Sequence, residues 1–406
     1  MSLKSVLLVV VIGAFVCSGS PVTRENCNNG GGGGTYTDRL CGEDLTKLWL
    51  DIVIVVDNSK GMTNRGLAAV SANIASIFED GLQLGISSIE PRTTRVGLVT
   101  YNSAATVAAD LNQIKSLDQL TTTVYATLNK VSDVSLSYLQ TGLEAAEELL
   151  TKQSFNTARD HYRKLVIVYA SDYKGTGTLD PLPMSRRLKE SDIAIATIAY
   201  GQDDDDSFLN KLAQIGTPGF NYKSTDELIG ELHTCMLQVN CYCPNGWYQM
   251  RQSFANPSSF RYGVCMIPVT ISATWTAAKL ACRNYWNNAY LVNEYSQTKH
   301  DYVLQVVQNK TAFKQPYTYL IGLSYSAGNW FWEQPVGQPT LQLQSSWTDW
   351  NAQFPIVSST KTVGVNVQFS SSLSTGWQNT EKTDAEYYVC EVASCDSTNY
   401  CAADDD

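Results

Sequence analysis

Residues 51–63 read DIVIVVDNSKGMT. An unbroken apolar run, Ile52–Val56, ends in Asp57, and the acid opens a short polar loop. An apolar run this short, without polar alternation, predicts a central parallel strand buried on both faces. The texture recurs in RVGLVTYN (95–102), KLVIVYASD (164–172) and AIATIAYG (194–201). Between and after these runs, residues 66–82, 138–152, 207–215 and 226–239 repeat apolar side chains at helical spacing. Alternating strands and helices predict a doubly wound, Rossmann-like α/β sheet over residues 46–240.

The texture changes after Cys241. Trp and Tyr become dense, and helical periodicity is confined to ATWTAAKLACRNYW (273–286) and SQTKHDYVLQVVQNK (296–310). Short strand-like pieces follow: YLIGLSY (319–325), NWFWEQ (329–334), TVGVNVQF (362–369) and EYYVCEV (386–392). Residues 241–395 are therefore expected to form a smaller α+β domain with long loops, and 396–406 an acidic tail.

The 406 residues suit two or three domains. At the start, Lys4 precedes the apolar run Ser5–Val16, followed by Ser18, Gly19 and Ser20, the pattern of a secretory signal peptide over 1–20. Residues 21–45, with five consecutive glycines, read as a flexible tether. Of 11 cysteines, Cys17 leaves with the leader, and the ten that remain suit bridges in an oxidising compartment. A secreted, extracellular location is expected. The formal net charge of −10 and the lack of a Lys/Arg cluster exclude nucleic acid as a partner, and no segment invites membrane insertion. The sequon at Asn309 offers a glycosylation site.

Ligand sites of open parallel sheets lie beyond the carboxyl ends of the strands. Asp57 and Ser59 follow the first strand, Asp172 follows a later one, and Thr141 begins a helix. These residues resemble the metal-site motif of the von Willebrand factor type A domain. That family holds a divalent cation, usually Mg²⁺, with Asp-x-Ser-x-Ser, a Thr and a second Asp, and the ion takes an acidic side chain from the partner. Asp57, Ser59, Thr141 and Asp172 match, but Gly61 stands in place of the second Ser. Two readings stay open here. A weak Mg²⁺ could bridge to a partner carboxylate, with water replacing the lost hydroxyl. Alternatively, Asp57 and Ser59 hydrogen-bond the turn and cap the next helix.

The second half resembles the C-type lectin-like domain. CPNGWYQM (243–250), the Trp275, Ala278 and Cys282 spacing, LIGL (320–323) and Cys390 in VCE carry the likeness. It implies the bridges Cys243–Cys265 and Cys282–Cys390. We add Cys395–Cys401 as a local closure and leave Cys27, Cys41, Cys235 and Cys241 to tie the ends of the first domain. The family's inner bridge has no cysteines here, so aromatic packing is expected to brace the long loop. In that family, sugar binding commonly uses Ca²⁺ held by Glu-Pro-Asn or Gln-Pro-Asp and by Trp-Asn-Asp. Here the corresponding candidates are Phe354-Pro355-Ile356, Gln334-Pro335-Val336, Gln338-Pro339-Thr340 and Trp377-Gln378-Asn379. So few carboxylates argue against calcium. Trp347, Trp350 and Asn379 remain as candidate ligand-binding residues, whereas Trp275, Trp332 and Trp377 read as core.

His161, His233 and His300 form no His-Glu-x-x-His pattern, and no Gly-x-Ser-x-Gly is present. The expectation is a protein without catalysis. The pairing of domains is similar to that of secreted lectin-like proteins expanded in nematodes. That resemblance implies recognition of glycan or glycoprotein on cell or microbial surfaces in innate defence. A matrix protein that binds only extracellular protein partners is the competing expectation.

Overall fold

A computed structural model describes residues 38–78, 81–152, 159–201, 206–370 and 372–402. The expected signal peptide and Cys27 lie outside them. The two modules below lie in one unit, Tyr36–Asp406.

The first module runs β1 (Leu50–Asp57), α1 (Thr63–Ser76), β2 (Arg95–Tyr101), β3 (Ala105–Ala109), α2 (Leu117–Thr127), α3 (Leu139–Lys152), β4 (Arg163–Ala170), α4 (Pro181–Glu190), β5 (Ile193–Ala199), α5 (Asp206–Ile215), β6 (Asn221–Lys223) and α6 (Leu228–Val239). Its sheet order is β3-β2-β1-β4-β5-β6, parallel except for β3. Every residue of β1 is buried. Ile52, Ile54 and Val56 meet Leu67 and Ile74 of α1, Val124 of α2 and Leu232 of α6 in one core layer. Val53 and Val55 point the other way, to Leu143 of α3, Leu188 of α4 and Leu212 of α5. A continuous apolar run is thus two alternating faces, each roofed by helices. Full burial of each such side chain stabilises by roughly 1.5–3 kcal/mol. Asp51, at the opposite end of β1 from Asp57, is buried against Arg95 Nε at 2.9 Å and Arg159 Nη2 at 2.8 Å.

The second module runs β7 (Tyr248–Arg251), β8 (Arg261–Thr274), α7 (Trp275–Tyr285), β9 (Tyr290–Leu291), α8 (Gln297–Asn309), β10 (Thr318–Ser326), β11 (Asn329–Trp332), β12 (Leu341–Gln342), β13 (Val363–Gln368), β14 (Thr375–Thr380) and β15 (Ala385–Ala393). The path β12-β11-β10-β15-β8-β7 carries β13 and β14 as a side branch on β10. Trp275, Trp332 and Trp377 are buried, as expected.

The bridges Cys243–Cys265, Cys282–Cys390 and Cys395–Cys401 are present, with Cys41–Cys241 as a fourth. Cys235 is an unbridged, buried thiol whose pKa burial pushes up to about 12. Two expected boundaries shift. Residues from 38 onward do not behave as tether: Leu40 bridges to Tyr262, Cys41 is disulfide-bonded, and Arg39 pairs with Asp396. Residues 396–401 are no solvated tail either. Asp396 is buried, its carbonyl accepts from Trp49 Nε1 at 3.0 Å, and Trp49 packs edge-on against Tyr162, Tyr242 and Tyr400. Among the described residues no helix is long and apolar enough to cross a membrane.

Candidate functional site

In the first module the strand order reverses between β1 and β4, and Asp57 ends β1 at that switch point. Its carboxylate is buried and fully engaged. Oδ1 accepts from the Ser59 amide at 2.8 Å; Oδ2 accepts from the Ser137 hydroxyl at 2.9 Å, the Ser171 hydroxyl at 2.6 Å and the Ser171 amide at 3.3 Å. Four donors compensate its desolvation. Asp172 shares this edge. The buried Tyr101 phenol is pushed well up by burial and then by the charges of both Asp57 and Asp172. The Thr141 hydroxyl, in the first turn of α3, donates to the Tyr138 carbonyl at 2.9 Å. Asp172 Oδ1 accepts from the Tyr173 amide at 2.7 Å, and Lys174 Nζ stands 2.7 Å from Oδ2. The same ammonium donates to the Ser135 carbonyl at 3.1 Å.

Gly61 lies where the missing hydroxyl would have been. A Cβ there would meet Ser171 Oγ at 3.1 Å and Ser59 Oγ at 3.7 Å. Lys60 is exposed. A hard divalent ion needs about six free oxygens in near-octahedral array. Against that need the edge is poor: Gly61 offers no oxygen, Asp57 already accepts from four donors, and the Lys174 ammonium competes for Asp172, whereas the Thr141 hydroxyl, a donor to Tyr138, keeps its lone pairs. A divalent ion at this edge would therefore be held weakly, with water in place of the lost hydroxyl. Ser137, Ser171 and Lys174 were missed by sequence reasoning; only the position of Ser171 beside Asp172 could have pointed to one of them.

In the second module the long loop is held by Asn379 on β14. Asn379 Oδ1 accepts from the Ile356 amide at 2.7 Å, and Nδ2 donates to the carbonyls of Ile356 and Lys361, both at 2.8 Å. The side chain is buried and spent on the loop backbone, so the expectation that it binds ligand is corrected. Trp347 and Trp350 are half-buried against Trp377, with ring centroids 5.1 and 5.7 Å away, and Trp350 lies 5.0 Å from Trp330. Aromatic packing therefore braces the loop where the family's inner bridge is missing. Pro355, Ile356, Tyr325, Trp330 and Lys361 line a small cavity of about 140 Å³, with Val357 fully exposed at its rim.

Beneath this face lies a buried ionic knot. Glu294 accepts from His300 Nδ1 at 2.8 Å, Trp377 Nε1 at 2.6 Å and the Tyr319 hydroxyl at 3.1 Å. His300 Nε2 meets Thr375 Oγ1 at 2.9 Å. Burial alone would depress the His300 pKa, but the Glu294 charge and hydrogen bond outweigh it and carry the value to about 9. Asn309, at the end of α8, is exposed.

With this geometry in hand, comparison with known proteins places both modules. Residues 51–234 match the von Willebrand factor type A domain and residues 271–392 the lectin C-type domain. The chain thus carries a von Willebrand factor type A domain followed by a C-type lectin domain. It is 27% identical over 387 residues to C-type lectin domain-containing protein 160 of Caenorhabditis elegans, covering 91% of this chain and 57% of that relative. The chain therefore spans little more than half of the relative's length. Among solved structures it is similar to proximal thread matrix protein 1 from the mussel byssus, a form with a zinc-occupied MIDAS motif. That match is 19% identical over 49% of this chain and 47% of the other, with a TM-score of 0.39. It is also similar to the C-type lectin domain of murine dendritic cell inhibitory receptor 2 in complex with N-glycan, 21% identical over 37% of this chain and 99% of that one, with a TM-score of 0.28.

Proposed function

We propose that this is an exported recognition protein that adheres to carbohydrate on cell or microbial surfaces, in a role of innate defence, and performs no bond-making. The contact belongs to the long-loop face of the lectin-like module and needs no calcium. One observation carries this reading: Asn379, the residue best placed to help hold an ion, is consumed by the Ile356 and Lys361 backbone. What the loop offers instead is Trp330, Tyr325 and Lys361 around a cavity sized for one sugar substituent. Aromatic faces stack on the apolar faces of sugar rings, and an ammonium bonds hydroxyls. The four disulfides support an extracellular setting. On this reading the first module contributes a loop-edge contact without a divalent ion, and Asn309 carries a glycan.

A second reading, contact with protein alone, is favoured by the exposed apolar side chains of Ile356 and Val357. A glycan array with and without chelator separates the two. Binding that survives chelation and is lost in Trp330→Ala supports the carbohydrate reading, and a blank array favours protein partners. A screen on glycoside and peptide substrates tests the absence of catalysis, which the binding-type modules support.

A further inference from the structure

A cleft of about 480 Å³ opens where the β5 side of the first module meets β7 and β8 of the second. None of its walls belongs to the edge or the loop face described above. Its volume falls within the ~300–1,000 Å³ of small-molecule sites. Four cations line it: Arg163, Lys189, Arg251 and Arg261. Asp192 is the one carboxylate among the described lining residues, and Arg163 pairs with it. Lys189 caps the carbonyls of Gln214 and Gly216 at 2.9 and 3.2 Å. Arg251 donates to the Pro257 carbonyl, and the Arg261 guanidinium lies 5.9 Å from the Phe220 ring centroid. Burial, with the like charges of Arg251 and Arg163 adding to it, pulls the Arg261 pKa down to about 10. Three positive charges thus share a partly desolvated cleft, and none of them pairs with a carboxylate among the described residues. Trp247 and Tyr248, both half-buried, stand on the same walls.

We infer that this cleft is a binding site for an oxyanion-bearing saccharide of one or two rings. The guanidinium groups of Arg251 and Arg261 receive a sulfate or carboxylate, and Trp247 and Tyr248 take the ring. Planar guanidinium groups match such oxyanions through paired N–H donors, and an arriving anion relieves the repulsion between the arginines. The saccharide half rests on the carbohydrate reading above; the oxyanion half does not.

The test is calorimetric titration of the full chain with a sulfated uronic-acid disaccharide, its desulfated counterpart and sodium sulfate, at matched ionic strength. The sulfated disaccharide is expected to bind, to weaken steeply with salt, and to lose about tenfold in affinity in Arg251→Gln and again in Arg261→Gln. A carboxylate source is shown if the desulfated form binds and both arginine variants weaken it. Trp247→Ala is expected to weaken the disaccharides and leave sodium sulfate unchanged. Arg251 lies outside the core, so its variant reports even if Arg261→Gln fails to fold. Binding of neither disaccharide, or binding untouched by Arg251→Gln, would overturn the site. Sodium sulfate binding as tightly as the disaccharide would overturn the saccharide half. Trp330→Ala serves as the control: it abolishes array binding on the carbohydrate reading but leaves cleft binding intact, so the two failures are distinguishable.

Discussion

The ammonium of Lys174 stands 2.7 Å from Asp172 Oδ2 and 3.1 Å from the Ser135 carbonyl, placing a cation of the protein's own at the sheet edge that Asp57 and Asp172 share. Wild-type protein is therefore expected to show no shift in melting temperature with millimolar Mg²⁺ or Mn²⁺. Gly61→Ser with Lys174→Ala restores a hydroxyl and frees Asp172. That double variant should be stabilised by about 1.4 kcal/mol at ten times its ion Kd, or roughly 3–6 °C. A wild-type shift of that size would show that the edge accepts an ion despite Lys174.

Asn379→Ala removes three hydrogen bonds to the long-loop backbone. It should cost about 1–3 kcal/mol and loosen residues 354–361. Asn379→Asp should not install calcium binding, because one carboxylate beside the carbonyls of Ile356 and Lys361 falls short of the six to eight oxygens that Ca²⁺ takes. Thermal melts and a Ca²⁺ titration of each variant check both statements.

His300 gives the fold a pH dependence. Its folded pKa of about 9 lies above the ordinary 6.5. The stabilisation is therefore complete below pH 6.5 and is lost as pH rises through 9. Its size is roughly 3 kcal/mol. Urea melts at pH 6, 7.5 and 9 should show the decline. His300→Gln should lower stability at pH 6 and flatten the profile, since Glu294 then stays buried without its cation.

Deleting residues from Cys395 onward should destabilise the first module as well as the second. The deletion takes away the Asp396 carbonyl bound by Trp49, the Asp396 carboxylate paired with Arg39, and the Tyr400 ring packed on Trp49 and His161. Trp49→Ala should cost about 3–5 kcal/mol for the same reason. Denaturation followed by amide exchange in β1 reads the effect directly.

The sheet was legible because Ile52–Val56 and its sister runs are continuous and apolar, which only a strand roofed on both faces tolerates. The lectin frame was legible because its cysteines and tryptophans keep a spacing. What escaped lacks a period. Lys174 reaches Asp172 across a loop, where spacing two apart carries no directional rule. Glu294 and His300 are sealed together by Tyr319 of β10 and by Thr375 and Trp377 of β14, far along the chain. Asp51 is a buried partner of two arginines from distant segments, a pairing that no local spacing encodes. Asp396 was misread because acids near a chain end resemble solvent-facing tail; its burial depends on Arg39, 357 residues away.

The bond from Trp49 to Asp396 also sets a timetable for biosynthesis. The two residues are 347 positions apart. At ~5–20 residues per second a ribosome takes roughly 20–70 s to deliver the second after the first. Until Asp396 arrives the indole beside β1 has no acceptor, and until Cys241 arrives Cys41 has no partner, so the first module completes its packing only once the Cys395–Cys401 loop has emerged and closed over it.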